Sequence, residues 1–200
     1  MINNKHSLIL LDLGNVLVEY HPEKFARQVE QKCSIPAMEI IDRYCYGEFR
    51  AEFERGQKTE LEFFSEMMEW LQWPVMEFAQ LTYLWSEDFQ ICHGAVQAIE
   101  NLKEHYPLWL LSDTNITHRN FCRIHFPFLN HLSKTFVSFE TGMLKTDPGA
   151  FERILAETDV PPERILFLDD LPKNIDKARQ VGIDAHVFKD WQSIKEIISF

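Results

Sequence analysis

Leu8-Ile9-Leu10-Leu11-Asp12-Leu13-Gly14-Asn15-Val16, LILLDLGNV in one-letter code, is the stretch from which the rest of the chain can be read. Its leading apolar run shows no alternation, the pattern of a strand buried on both faces of a parallel sheet. The run ends on the carboxylate of Asp12, followed by a Leu-Gly turn. In open α/β sheets the ligand crevice lies beyond the carboxyl ends of the strands, which is where Asp12 falls.

Beyond this strand the character changes. Phe25, Val29 and Cys33 recur at helical spacing, as do Phe63, Met67, Trp70 and Leu71. Thr59 with Glu62 forms a capping-box start, and Pro74 opens a further helix. The spacing predicts a helical bundle over residues 19–87, with Phe63, Phe64, Trp70, Trp73 and Trp85 as its core, inserted into a domain made of residues 1–18 and 88–200.

From Gly94 a helix runs through Ala98, Leu102 and His105, then an apolar strand from Leu108 to Asp113 and a helix over Ile116–His125. A strand at Thr135–Phe139 precedes a helix with Asp147 as N-cap and Pro148 in its first turn, ending near Glu157. A strand at Arg164–Asp170, a helix from Pro172 to Gly182, a strand at Ala185–Lys189 and a helix started by Ser193 with Glu196 complete the chain. Strands separated by helices imply an α/β fold with a parallel sheet and right-handed crossovers.

Two hundred residues suit one core with a modest inserted domain. A net charge of −11 without a basic stripe speaks against nucleic-acid and anionic-membrane partners, and leaves room for a small anionic substrate in a local pocket. Cys33, Cys45, Cys92 and Cys122 form no metal-ligand spacing and read as thiols of a reducing compartment. The start, MINNKHSLIL, lacks a signal-peptide pattern, and no apolar run reaches membrane-spanning length, so the expected location is the cytoplasm. No dinucleotide fingerprint follows any strand, and no oligomeric state follows from the sequence.

Acids end two of the expected strands: Asp12 on the first, Asp169 and Asp170 on the fourth. Strand-end acids are ordinarily helix caps, but like charges gathered at one sheet edge need a cation, and hard oxygen ligands select Mg²⁺. Ser112 ends the second strand, where its hydroxyl and the next backbone N–H can bind an anionic oxygen. Lys145, in GMLKTDP, is a lone cation that gains meaning from this company.

The order Asp12, Ser112, Lys145, Asp169-Asp170 resembles the motif series of the haloacid dehalogenase-like hydrolase superfamily, with FERGQKTELEFF similar to its inserted helical cap. The resemblance implies a Rossmann-like three-layer parallel sheet of order 3-2-1-4-5, or a permuted equivalent, carrying a helical cap. It implies a phosphatase or phosphotransferase acting on a small phosphorylated metabolite such as a sugar phosphate, with Asp12 as nucleophile. Ser112, Asp113, Lys145 and Asn15 would bind the substrate, and Lys145 would keep Asp12 ionised. Mg²⁺ would be held by Asp12, the Gly14 carbonyl and Asp170, with Asp169 nearby.

Gly14 departs from the family pattern, which places an acid/base aspartate there; the DxGNV form resembles a subgroup that includes bacterial sugar-1-phosphate phosphatases. A missing proton donor predicts a slow enzyme or one suited to good leaving groups, with His21 or the Glu54–Arg55 stretch as substitutes. Metal-free dehalogenation and ligand binding on an impaired scaffold remain the alternatives at this point.

Overall fold

The computed structural model describes residues 5–74, 77–87 and 89–198. The inner boundary expected at residue 88, and the two positions following Pro74, lie outside the described residues. In chain order the strands are β1 (Leu8–Leu11), β2 (Val18–Tyr20), β3 (Phe89–Ile91), β4 (Leu108–Ser112), β5 (Lys134–Val137), β6 (Ile165–Asp169) and β7 (Asp184–Val187).

The main sheet has the order β5-β4-β1-β6-β7, and every pairing in it is parallel. Counting only its own strands, this is the expected order 3-2-1-4-5. β1 is central and wholly buried, because its alternate residues face separate apolar layers. Ile9 and Leu11 join Leu110, Leu166 and Leu168 on one side, while Leu8 and Leu10 join Phe136, Ile165 and Phe167 on the other. Register pairs Leu11 with both Leu110 and Leu168, so the loops leaving β1, β4 and β6 start level at one edge.

Between β2 and β3 the chain is helical, and Phe25, Tyr44, Phe53, Phe63, Phe64, Met67 and Trp85 form an apolar cluster of their own. Trp70 and Trp73 pack there too, as the aromatic pattern predicts. Thr59 and Glu62 make the full capping box at the start of the Glu60–Leu71 helix. Among the described residues no helix is long and apolar enough to cross a membrane.

The structure departs from the sequence reading in four places. β2 and β3 pair antiparallel, Tyr20 against Phe89, as a ribbon at the way into and out of the helical region; three residues per strand carry no periodic signal. β5 stops at Val137, and Ser138–Thr141 is a helical turn. The next helix is Ala150–Leu155, started by Gly149 at φ 85°, not by Asp147. Asp147 instead accepts the Leu144 N–H at 2.8 Å and is gripped by Arg55 from the helical region, Nε and Nη2 each at 3.1 Å. Asp190, not Ser193, caps the Trp191–Ile194 helix, accepting the Ser193 N–H at 2.7 Å.

Arg55 is followed by a close approach of the helical region to the core. A Cβ at Gly56 would come within 2.3 Å of the Phe139 carbonyl, and the glycine sits at φ +68°, so only glycine fits this contact.

Candidate active site

The edge where β1, β4 and β6 end carries Asp12, Asp113, Asp169 and Asp170, and the loop after β5 brings Lys145. The Lys145 Nζ lies 2.5 Å from Asp12 Oδ1 and 2.6 Å from Asp169 Oδ2, with all three side chains buried. Its own backbone N–H donates to Asp113 Oδ1 at 2.9 Å, which fixes the loop to the end of β4. Asp12 Oδ1 also accepts the Leu13 N–H at 2.7 Å, leaving Oδ2 with no protein partner among the described residues.

Asp169 points inward and is fully committed. Asn174 Nδ2 lies 3.0 Å from each of its oxygens, and Oδ1 accepts the Leu171 N–H at 2.8 Å. Asp170 faces the cavity, where Asn15 Nδ2 donates to its Oδ2 at 2.9 Å. Asn15, at φ 54°, spends one amide hydrogen on orienting Asp170 and itself lines the cavity. Ser112 is buried one residue short of Asp113, and Asp113 is the one that lines the cavity wall.

Burial pushes the Asp12 carboxyl well up, Lys145 pulls it back, and Asp169 and Asp170 push it up further. Lys145 thus works in the expected direction, favouring the Asp12 carboxylate, against burial as the larger opposing influence and two neighbouring acids. Burial opposes the Lys145 charge, yet Asp12, Asp169 and Asp113 raise its pKa and hold it protonated. Burial also raises Asp113.

This imbalance fits a divalent cation. Ligand oxygens of Asp12, Asp169 and Asp170 all lie within 4.8 Å of one another, an oxygen-only donor set of the kind hard cations take. Asn174 adds a second sign: its Oδ1 is buried beside the cluster without a hydrogen-bond partner, an acceptor suited to a cation's water.

The cavity over this cluster holds about 370 Å³. Its floor includes Gly14 and Lys173, and its opposite wall comes from Tyr20, Cys45, Arg50 and Glu54. Of the substitute acids, Glu54 is buried in this wall. His21 is not in the wall; its side chain is 48% exposed and faces Glu19. Arg55 is occupied by Asp147 and Glu48. Sequence reasoning missed Asn174 and Arg50. Asn174 stands inside the FLDDLPKNI stretch, two residues past Pro172, and Arg50 stands four residues before Glu54, the spacing of an ion pair along a helix.

A parallel sheet with buried acids and a buried lysine at its carboxyl edge, under a helical region, is the arrangement of a Rossmann-like α/β enzyme core. The chain matches the haloacid dehalogenase-like hydrolase family over residues 6–182, and it belongs to that family. It is 24% identical over 183 residues to a D-ribitol-5-phosphate phosphatase of Bacteroides thetaiotaomicron, covering 88% of each chain. A HAD family enzyme from B. thetaiotaomicron, solved with magnesium and inorganic phosphate, superposes with a TM-score of 0.84 at 24% identity, over 94% of this chain and 98% of that one. A HAD-like hydrolase from Porphyromonas gingivalis gives a TM-score of 0.79 at 22% identity, over 96% and 98%.

Proposed function

We propose that the protein is a Mg²⁺-dependent phosphatase of small phosphorylated metabolites, with sugar or polyol phosphates as its substrate class. The observation that carries this reading is the Lys145 ammonium set between Asp12 and Asp169 beside Asp170, at the edge of the sheet. The Bacteroides relative that acts on D-ribitol 5-phosphate, and the neighbour that holds magnesium and phosphate, support it.

Asp12 attacks phosphorus with the oxygen that has no protein partner, and the bond to the ester oxygen breaks. Lys145 and Ser112 steady the phosphoryl oxygens, and water then attacks phosphorus to release phosphate and restore the carboxylate. Asp12, Asp170 and the Gly14 carbonyl would hold Mg²⁺, with Asp169 nearby to orient the cluster; when bound, the ion supplies positive charge against the acids and the phosphoryl group. Position 14 offers the leaving oxygen no proton, so the alkoxide of a sugar or polyol ester takes its proton from water, and such esters are cleaved more slowly than those with good leaving groups. The helical region serves as the cap that excludes water and selects the substrate. The absence of disulfides among the cysteines supports a cytoplasmic location.

The test is a screen of phosphorylated metabolites, D-ribitol 5-phosphate among them, with Mg²⁺ or with chelator. Release of phosphate that needs Mg²⁺ and disappears in Asp12→Asn is the expected result. Activity that survives that substitution removes Asp12 from the role of nucleophile, and halide release without metal favours dehalogenation instead.

A further inference from the structure

The phosphoryl end of the cavity uses the acids and Lys145, but the opposite wall has a chemistry of its own. Glu54 is buried there, and Arg50 Nε donates to its Oε1 at 2.7 Å. Arg50 Nη1 also donates to the Cys45 carbonyl at 2.5 Å, and its guanidinium lies over the Tyr20 ring, 5.1 Å from the centroid. An ion pair that only braced a helix would face solvent; this one faces the cavity, covered by a ring from β2.

Tyr20 lines the same wall. Its hydroxyl is buried and has no hydrogen-bond partner among the described residues. Buried hydroxyls are nearly always satisfied, so one left unpaired on a cavity-lining residue marks where a ligand's polar group belongs.

Charge decides what kind of group. Glu54 already neutralises Arg50, so a second anionic group on the substrate would meet a carboxylate as closely as a guanidinium. A row of hydroxyls meets no such conflict, donating to Glu54 and accepting from Arg50 or Tyr20.

We propose that Arg50, Glu54 and Tyr20 form the subsite that receives the uncharged, hydroxyl-bearing end of a phosphorylated polyol and turns away phosphate esters with a second anionic group. The inference rests on the phosphatase reading above and assigns these three residues to specificity, not to the chemical step. Glu54 acts as the gatekeeper: it cancels the cation that would otherwise attract a carboxylate.

A matched pair of substrates tests it. D-ribitol 5-phosphate and 5-phospho-D-ribonate differ only in a terminal CH₂OH or carboxylate. The native enzyme favours the alcohol in kcat/KM by ~10²-fold, the scale on which an unpaired buried polar group discriminates. Glu54→Gln frees Arg50, so the preference shrinks by at least ~10-fold, with kcat/KM for the acid rising in absolute value. Arg50→Gln lowers the rate on the alcohol and does not raise it on the acid. Tyr20→Phe keeps the ring and raises KM for the alcohol more than it lowers kcat.

A native enzyme that prefers the acid, or an unchanged ratio in Glu54→Gln, overturns the proposal. Should Glu54→Gln fail to fold, the Tyr20→Phe result decides, and an unmoved KM overturns it. A native enzyme inactive on both esters and on p-nitrophenyl phosphate overturns the phosphatase reading itself; activity on p-nitrophenyl phosphate without the alcohol preference overturns the subsite alone.

Discussion

At the scale of the residue, Gly14 carries the sharpest question. Nothing lies within 4 Å of a Cβ built there, and its φ is outside the left-handed region. Neither packing nor backbone conformation therefore requires glycine at this position, and the missing carboxylate is a matter of chemistry. Gly14→Asp is expected to fold, since open space receives the side chain, and to lose about 1–2 kcal/mol of stability without Mg²⁺, because it adds a carboxylate beside acids that already outnumber Lys145. It is also expected to accelerate hydrolysis of esters with poor leaving groups, by ~10-fold or more, while aryl phosphates gain less. A leaving-group series on both proteins checks this, and parallel slopes would show that position 14 does not donate the proton. Asp12, Ser112 and the paired acids could be picked out by type and place because strand ends mark themselves in the sequence, whereas Lys145, on a loop beyond β5, stands out only through its order among them. The sequence points to Asn15 for a substrate contact, not for its hydrogen bond to Asp170, 155 positions away; Asn174 and Arg50, whose partners Asp169 and Glu54 lie only five and four residues off, escape notice because their local pairings look structural until the cavity is seen.

At the scale of the element, the helix Ile116–His125 is joined to the helical region through His118. Asn115 caps this helix by accepting the His118 N–H at 3.0 Å, so its Nδ2 faces His118 Nδ1 at 3.2 Å. Nδ1 is then an acceptor, and Nε2 carries the hydrogen that goes to the Trp85 carbonyl at 3.1 Å. The ring stacks on Trp85 with centroids 5.1 Å apart, and burial, aided by Arg50, holds its pKa well below the usual value. His118 thus stays neutral in the fold while the unfolded chain takes up a proton below about pH 6.5. The unfolded state binds more protons there, so stability is full above that pH and falls as pH drops, by up to ~1.4 kcal/mol per unit. His118→Phe, neutral at every pH, should show a shallower loss between pH 6.5 and 5 in urea titrations; an unchanged slope would place a proton on His118 in the native state. Elements with long apolar periods were legible in advance, as were local caps such as Thr59 with Glu62. Asp147 misled because its carboxylate is claimed by Arg55, 92 positions away, and no local pattern records such a competitor.

At the scale of the whole molecule, an acidic chain of net charge −11 gathers three more carboxylates than its edge can neutralise with Lys145 alone. The native fold holds these acids together, whereas the unfolded chain spreads them apart. A cation that binds the cluster therefore stabilises the native state selectively, by about 2.7 kcal/mol at a hundredfold excess over its dissociation constant. For a chain of this length that is a rise in Tm of roughly 5–10 °C. General screening of a −11 protein would also raise Tm, so the comparison must separate the two. NaCl at equal ionic strength supplies screening without a divalent ion, and Asp170→Asn removes a cluster oxygen while leaving the overall charge almost unchanged. Mg²⁺ should raise Tm well beyond NaCl in the native protein and only to the NaCl level in Asp170→Asn. If NaCl matches Mg²⁺ in the native protein, the cluster does not hold the ion, and the excess of acid at the sheet edge must be carried by protons, as the raised Asp12 carboxyl would then require.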